Sequence, residues 1–327
     1  MRAKARRGVI VTAASAAIAL AASAAPAPTA VAGHGEGGGP GSPLGDGFSV
    51  AKGSRLVGTV FPGPTLSDAV TVGGADTWTA VLELDGNPIK VFNRFLRQAQ
   101  GAGFELGADC FLAYDDGRGV PVTGRTPDRE GLLSLTCTAL GRGGERSGVP
   151  EKELAIELHR SADGAPYEDN VTVRVARRPD PDAPRFPLQN WHGPFPSEWS
   201  TGVPTPPKRP KLARADQPIR PGDARAVRLI DVVEGTKLLA PPALSCAQRG
   251  GFDAVFEVTG DIEEVLDAYA IQFERIDMTT ERSEESFRGN TVTRDDGIGD
   301  AGNYAATAVH GKGGRPAYVF LWFCPFA

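Results

Sequence analysis

The densest clusters of carboxylates fall in two similar stretches, Asp115-Asp116-Gly117-Arg118-Gly119 and Asp295-Asp296-Gly297-Ile298-Gly299. Carboxylates grouped on a turn are the hard-oxygen donors that Ca2+ takes. Asp300 follows the second stretch, so Asp295, Asp296 and Asp300 are the candidate calcium ligands. A plainer account fits the same residues. Asp-Gly between strands tolerates positive φ and marks a hairpin turn, and the spacing and closing glutamate of an EF-hand loop are missing. On either account the sequence predicts a turn at both places.

Other chemistries find less support. A Gly-x-Ser-x-Gly elbow for a nucleophilic serine is absent. The four histidines are His34, His159, His192 and His310, with no His or Cys neighbour at metal-ligand spacing and no His-Glu-x-x-His. His159 and His310, near predicted strand ends, could serve as bases if the fold brings carboxylates to them. Glu83 and Glu257 occupy matching places in a repeat, and the pattern puts both on solvated strand faces. A glycosidase would need two such groups to converge. The chain has no phosphate loop or dinucleotide glycine pattern, so no cofactor is expected.

The cysteines are Cys110, Cys137, Cys246 and Cys324. An even number in an exported chain points to disulfides. Four cysteines allow three pairings; Cys110–Cys137 and Cys246–Cys324 are favoured because each closes a loop within one half of the chain.

The elements that must position these residues come from one unit used twice. The run from Ala80 to Gln100 matches that from Ala254 to Arg275, keeping Ala80/Ala254, Val81/Val255, Glu83/Glu257, Gly86/Gly260, Val91/Val265 and Gln98/Gln272. Period-two apolar residues make the first part a strand. Asn87 and Asp261 are N-caps, Pro88 suits a first helical turn, and Val91, Phe92, Phe95, Leu96 and Ala99 form a helical stripe. Upstream, Val50–Leu56 echoes Val232–Leu238; downstream, the two Asp-Asp-Gly stretches form a third echo. Strands are predicted at 55–60, 70–72, 110–114, 132–140, 153–159 and 171–175, then near 287–293, 304–310 and 317–324. In the last, Tyr318, Phe320 and Trp322 share one face and Val319, Leu321 and Phe323 the other, so it must be covered on both sides. The expected fold class is α+β: two tandem related domains, each an antiparallel sheet with one packed helix.

Around these units lie three other segments. Residues 1–32 read as a secretory signal, with Arg2, Lys4, Arg6 and Arg7 before an Ala-rich apolar run and Ala30-Val31-Ala32 as a cleavage site. Residues 33–47 read as a flexible Gly-rich linker. Domain one is expected at 48–177 and domain two at 225–327. The Pro-rich connector between them, 178–224, holds two of the chain's four tryptophans, Trp191 and Trp199. A free linker rarely carries such residues, so it should pack, and the pair is a candidate binding surface. Signal removal takes the formal charge from −5 to about −9. Such a chain gains little from nucleic acid, and no later segment is apolar enough for stable membrane insertion. The sequence thus predicts an exported, non-catalytic binding or structural protein of the bacterial envelope or extracellular space. Its expected partner is an extracellular protein or glycan. The alternative is an extracellular hydrolase with its site between the domains.

Overall fold

A computed structural model of the chain describes residues 38–63, 77–114, 116, 118–122, 130–143, 152–161, 170–177, 193–202, 211–219, 230–244 and 251–325. In the first half, β1 (Pro43–Gly45) and β2 (Phe48–Ser49) form a small hairpin. After them come β3 (Ser54–Leu56), β4 (Trp78–Leu84), helix α1 (Pro88–Gly101), β5 (Glu105–Tyr114), β6 (Gly119–Pro121), β7 (Leu132–Gly143), β8 (Lys152–Ser161) and β9 (Asn170–Arg177). The second half supplies β10 (Thr236–Leu238), β11 (Ala243–Leu244), β12 (Phe252–Val258), helix α2 (Ile262–Glu274), β13 (Met278–Phe287), β14 (Asn290–Gly299), β15 (Gly302–Val309) and β16 (Ala317–Pro325). The fold is α+β and dominated by antiparallel sheet.

The strands make two larger sheets. One has the order β3-β4-β9-β8-β7-β5-β6, the other β10-β12-β16-β15-β14-β13 with β11 also on β12. Setting β6 and β11 aside, the two orders correspond strand for strand, and each helix leaves the second strand of its sheet. The registers correspond as well: Leu56 pairs with Leu82 and Leu238 with Phe256.

The residues kept between the halves have matching tasks. Gly53 and Gly235 adopt φ of +87° and +80°, a region that favours glycine. Each lies against a second glycine: a Cβ on Gly86 would fall 3.1 Å from the Gly53 Cα, and one on Gly260 3.2 Å from the Gly235 Cα. In both places the carbonyl of the first glycine accepts two N–H groups from the strand end, those of Asp85 and Gly86 or of Thr259 and Gly260. The following helices start as their caps dictate. Asn87 accepts from the Lys90 N–H, and Asp261 from the N–H groups of Glu263 and Glu264.

Each helix covers one face of its sheet. Phe92, Phe95 and Leu96 of α1 are fully buried beside Leu82, Leu158 and Val171; Leu266, Tyr269 and Phe273 of α2 are buried beside Phe256, Val319 and Leu321. Full burial of one such side chain contributes about 1.5–3 kcal/mol. The opposite faces of the two sheets meet. Alternate residues of β16 divide accordingly: Val319, Leu321 and Phe323 lie with α2, while Tyr318, Phe320 and Trp322 join the core of the first half. The Phe320 ring stacks on Phe61, centroids 5.3 Å apart. The helices therefore lie on the outside of two back-to-back sheets, which explains why β16 is apolar on both faces.

Three expectations are corrected. Residues 38–47 are not simply a linker, since Leu44 is fully buried and Asp46 accepts from Trp78 Nε1 at 2.6 Å. Second, β13 lies where no strand is predicted. Its residues Thr279–Ser286 are polar, and as an edge strand it buries chiefly its ends, so it shows no apolar alternation. Third, Asp295-Asp296-Gly297 is not a turn but the interior of β14. The hairpin turns lie at Arg288-Gly289, both at positive φ, and at Asp300-Ala301. Gly297 serves a packing need, because a Cβ there would come within 2.0 Å of the Tyr304 ring. The third echo thus joins a turn, at Asp116, to a strand. Predicted strand 70–72 lies outside the described residues.

Candidate functional site

The disulfide Cys110–Cys137 joins directly opposed residues of β5 and β7 and is buried. Cys324 is also disulfide-bonded; its expected partner, Cys246, lies outside the described residues, as do Trp191, His34 and His192. Trp199 is described, but not as an open surface. It packs on Phe195, which packs on Phe92 of α1 (centroids 5.3 and 6.2 Å apart). Asn93 of α1 fastens this segment, donating to the Phe195 carbonyl (2.7 Å) and accepting its N–H (2.9 Å).

The three calcium candidates do not converge. Successive strand residues face opposite ways, so Asp295 and Asp296 separate. Asp295 faces α2, almost fully buried, and accepts from Arg282 Nε (2.6 Å) and Nη2 (2.7 Å). Asp296 faces the other sheet and accepts from Arg294 Nε (2.7 Å). Burial pushes the Asp296 carboxyl above the usual range, against the pull of Arg294. Asp300 sits in the next turn. Among the described residues no group of three His, Cys, Asp or Glu is arranged to hold a metal ion. Arg282 reaches further, its Nη1 contacting Glu263 (3.0 Å) and Asp267 (2.8 Å) of α2.

Between the sheets, Arg174 of β9 donates to Glu157 of β8 and to Asp253 of β12. The pair Arg174–Asp253 is buried and ties the halves together, and its guanidinium is matched by two carboxylates. His159 sits two residues beyond Glu157. Strand register places Thr136, His159, Asn170, Glu83 and Arg55 in one cross-strand row, with neighbouring Cβ atoms about 4.5–5.5 Å apart. Thr136 Oγ1 is 3.4 Å from His159 Nδ1. Burial holds the His159 pKa below its usual value, with Glu157 pulling it up and Arg174 down. Glu83 is buried and pairs with Arg55, contrary to the solvated face expected of it; Glu257 is half-buried, 3.9 Å from Lys237. His310 Nε2 lies 2.8 Å from Thr293 Oγ1, away from this row.

The second half carries an open groove of about 600 Å³ between α2 and the segment leading to β10. Its carboxylates are Asp216, Asp231, Glu234, Asp261 and Glu264; Arg275 stands at one end and the exposed Ile271 on the helix wall. Sequence reading did not find it. The available signal was a change of charge at matching positions of the two similar stretches, Lys52/Glu234 and Lys90/Glu264.

No family model and no curated protein sequence matches the chain. Among solved structures it was matched to a bifunctional dehydratase-cyclase domain of ambruticin biosynthesis (10% identity, 76% of this chain, 91% of that one, TM-score 0.15). The dehydratase domain from the terminal module of the rifamycin polyketide synthase gives 9%, 83%, 95% and 0.15, and the acyl-CoA thioesterase II TesB2 from Mycobacterium marinum 8%, 79%, 96% and 0.13. Likenesses this slight support no inference about fold or activity.

Proposed function

We propose that this is an exported, non-catalytic binding or structural protein of the bacterial envelope or extracellular space, made of two related halves and acting on an extracellular protein or glycan. The observation that supports it is the closed contact between the sheets. Phe61 stacks on Phe320 there, and Glu157, the carboxylate nearest in sequence to His159, is committed to Arg174. The charged groups at this contact bind the halves to each other. Export is supported by the signal-like N-terminus and by the disulfide. No described helix is long and apolar enough to cross a membrane. Export is tested by N-terminal sequencing of the protein recovered from medium and envelope fractions of a producing bacterium; a product beginning near Gly33 is expected, and an intact Met1 in the cytoplasm would refute it.

One observation favours the hydrolase alternative. The row Thr136–His159–Asn170 sets a hydroxyl, an imidazole whose pKa burial lowers and an amide side by side. Chromogenic ester, glycoside and peptide substrates separate the two readings. No turnover is expected; turnover abolished in His159→Gln would establish the hydrolase. The same variant checks the imidazole's surroundings. A depressed His pKa means that the unfolded chain binds more protons, so stability falls as pH drops through about 6.5 and toward the lower folded value. In His159→Gln this part of the acid-side loss should vanish from denaturant midpoints measured between about pH 5 and 8.

A further inference from the structure

Equivalent surfaces of the two halves carry opposite charge. On the first half, Lys52, Lys90, Arg94 and Arg97 line up beside Gly53 and along the outer side of α1, with Lys52, Lys90 and Arg97 exposed and Arg94 donating to the Lys52 carbonyl. The spacing 90, 94, 97 makes them one ridge. On the second half the same positions hold Glu234, Glu264, Ala268 and Ile271, all lining the groove. Substitution of two long cations by Ala268 and Ile271 leaves a recess with an apolar wall. Glu234 and Glu264 replace the other two cations, and Asp216, Asp231 and Asp261 add to the acidic side. The exceptions are one at each place, Arg275 in the groove and Asp85 near the ridge.

We propose that the α2 groove is filled by the α1 ridge of a second copy of this chain. The match is of charge and relief together: a convex row of cations fits a concave row of carboxylates, and the alkyl stems of Arg94 and Arg97 can cover Ile271. Ridge and groove lie on different halves, so the contact is heterologous. A docked pair leaves one ridge and one groove unfilled, and association continues head to tail. This inference goes beyond the function proposed above and holds for a binding protein or a hydrolase alike.

Sedimentation equilibrium of the full exported chain tests it. At about 0.05 M salt the average mass should rise with protein concentration, and at about 1 M, where the screening length is about 3 Å, it should return to the monomer. Lys90→Ser with Arg97→Ser spoils the ridge, and Glu234→Gln with Glu264→Gln spoils the groove, each by neutralisation so that the two altered surfaces do not attract one another. Each double variant should associate at least about tenfold more weakly than the parent, with an unchanged thermal midpoint showing that it folds. Mixing the two variants should yield a dimer and nothing larger, because one retains a sound ridge and the other a sound groove. A parent that is monomeric at low salt would overturn the proposal, as would variants that associate like the parent or a mixture that stays monomeric.

Discussion

Helices α1 and α2 hold the same place in matching sheets, yet their outer sides are finished differently. On α1 the side next to the connector carries Ile89, Asn93 and Leu96, all buried. The equivalent residues of α2 are Glu263, Asp267 and Ala270, of which the two acids are exposed. The first helix borrows an aromatic segment, Phe195 and Trp199, held by Asn93. The second receives an arginine, Arg282, from its own edge strand. The strand pairs beneath differ in the same sense. Cys110 and Cys137 cross-link β5 to β7; at the matching pair of strands, two residue pairs further on and on the same face, Arg282 and Asp295 take the places of Ala108 and Ala139. At this strand pair one topology thus admits a covalent and apolar closure in one half and an ionic closure in the other, although the second half has a disulfide elsewhere, at Cys324. The open groove beside α2 belongs to the ionic half.

If these closures do equivalent work, removing either should cost a similar amount. The larger loss is expected for Cys110→Ala with Cys137→Ala. The bridged residues are 27 apart in sequence, and releasing a loop of that size costs about 3–4 kcal/mol. Arg282→Ala should follow at about 2–3 kcal/mol, since it leaves the buried Asp295 carboxylate unpaired while the arginine itself is about one-third exposed to screening solvent. Both are read from urea midpoints. Adding Asp295→Leu to Arg282→Ala should recover most of the second loss; failure to recover would mean that Arg282 acts through α2 rather than β14. Phe195→Ala ranks third, at about 1–2 kcal/mol for a half-buried ring. Its hydrogen-exchange signature should be confined to α1 and leave α2 protected. Equal loss of protection in both helices would mean that the connector supports the whole molecule, and the contrast between the copies would fail.

Much of this contrast is legible in the matching stretches of the sequence. The strand, glycine turn, cap and apolar stripe were legible because each is a local preference that the fold obeys. The double-faced apolar pattern of β16 gave away its two coverings, and the Cys110–Cys137 pair followed from even numbers and loop closure. Other features depended on partners distant in sequence. Asp-Asp-Gly has the same local meaning at 115 and 295, but only the second meets an arginine on a neighbouring strand and a tyrosine ring that needs the space of Gly297. Polar β13 is stabilised by its pairing with β14, which no periodicity reports. Leu44 is a lone apolar residue in a Gly-rich run, too little pattern to reveal the hairpin that buries it. The groove was visible in principle as alternating charge between matched positions, a signal that appears only when the copies are aligned for their differences.

The smallest effect separates what the copies share from what each added. Gln98 accepts the N–H of Ser49 (2.8 Å), and Gln272 accepts that of the equivalent Asp231 (2.7 Å). Each ties its helix to the chain entering the first strand of its sheet. Loss of the acceptor should cost about 1 kcal/mol in both Gln98→Ala and Gln272→Ala. The glutamate variants should then diverge. Gln98→Glu keeps an acceptor for the Ser49 N–H and should be milder than its alanine counterpart. Gln272 also donates from Nε2 to the Asp231 carbonyl (3.1 Å), and a carboxylate there would turn an acceptor toward an acceptor beside the Asp231 side chain. Gln272→Glu should therefore be at least as destabilising as Gln272→Ala, and more so at neutral than at acidic pH. Denaturant midpoints of the four variants decide it. Similar glutamate variants would mean that the tie is the shared N–H contact alone, whereas divergence would show that the tie beside the acidic groove depends on an uncharged amide.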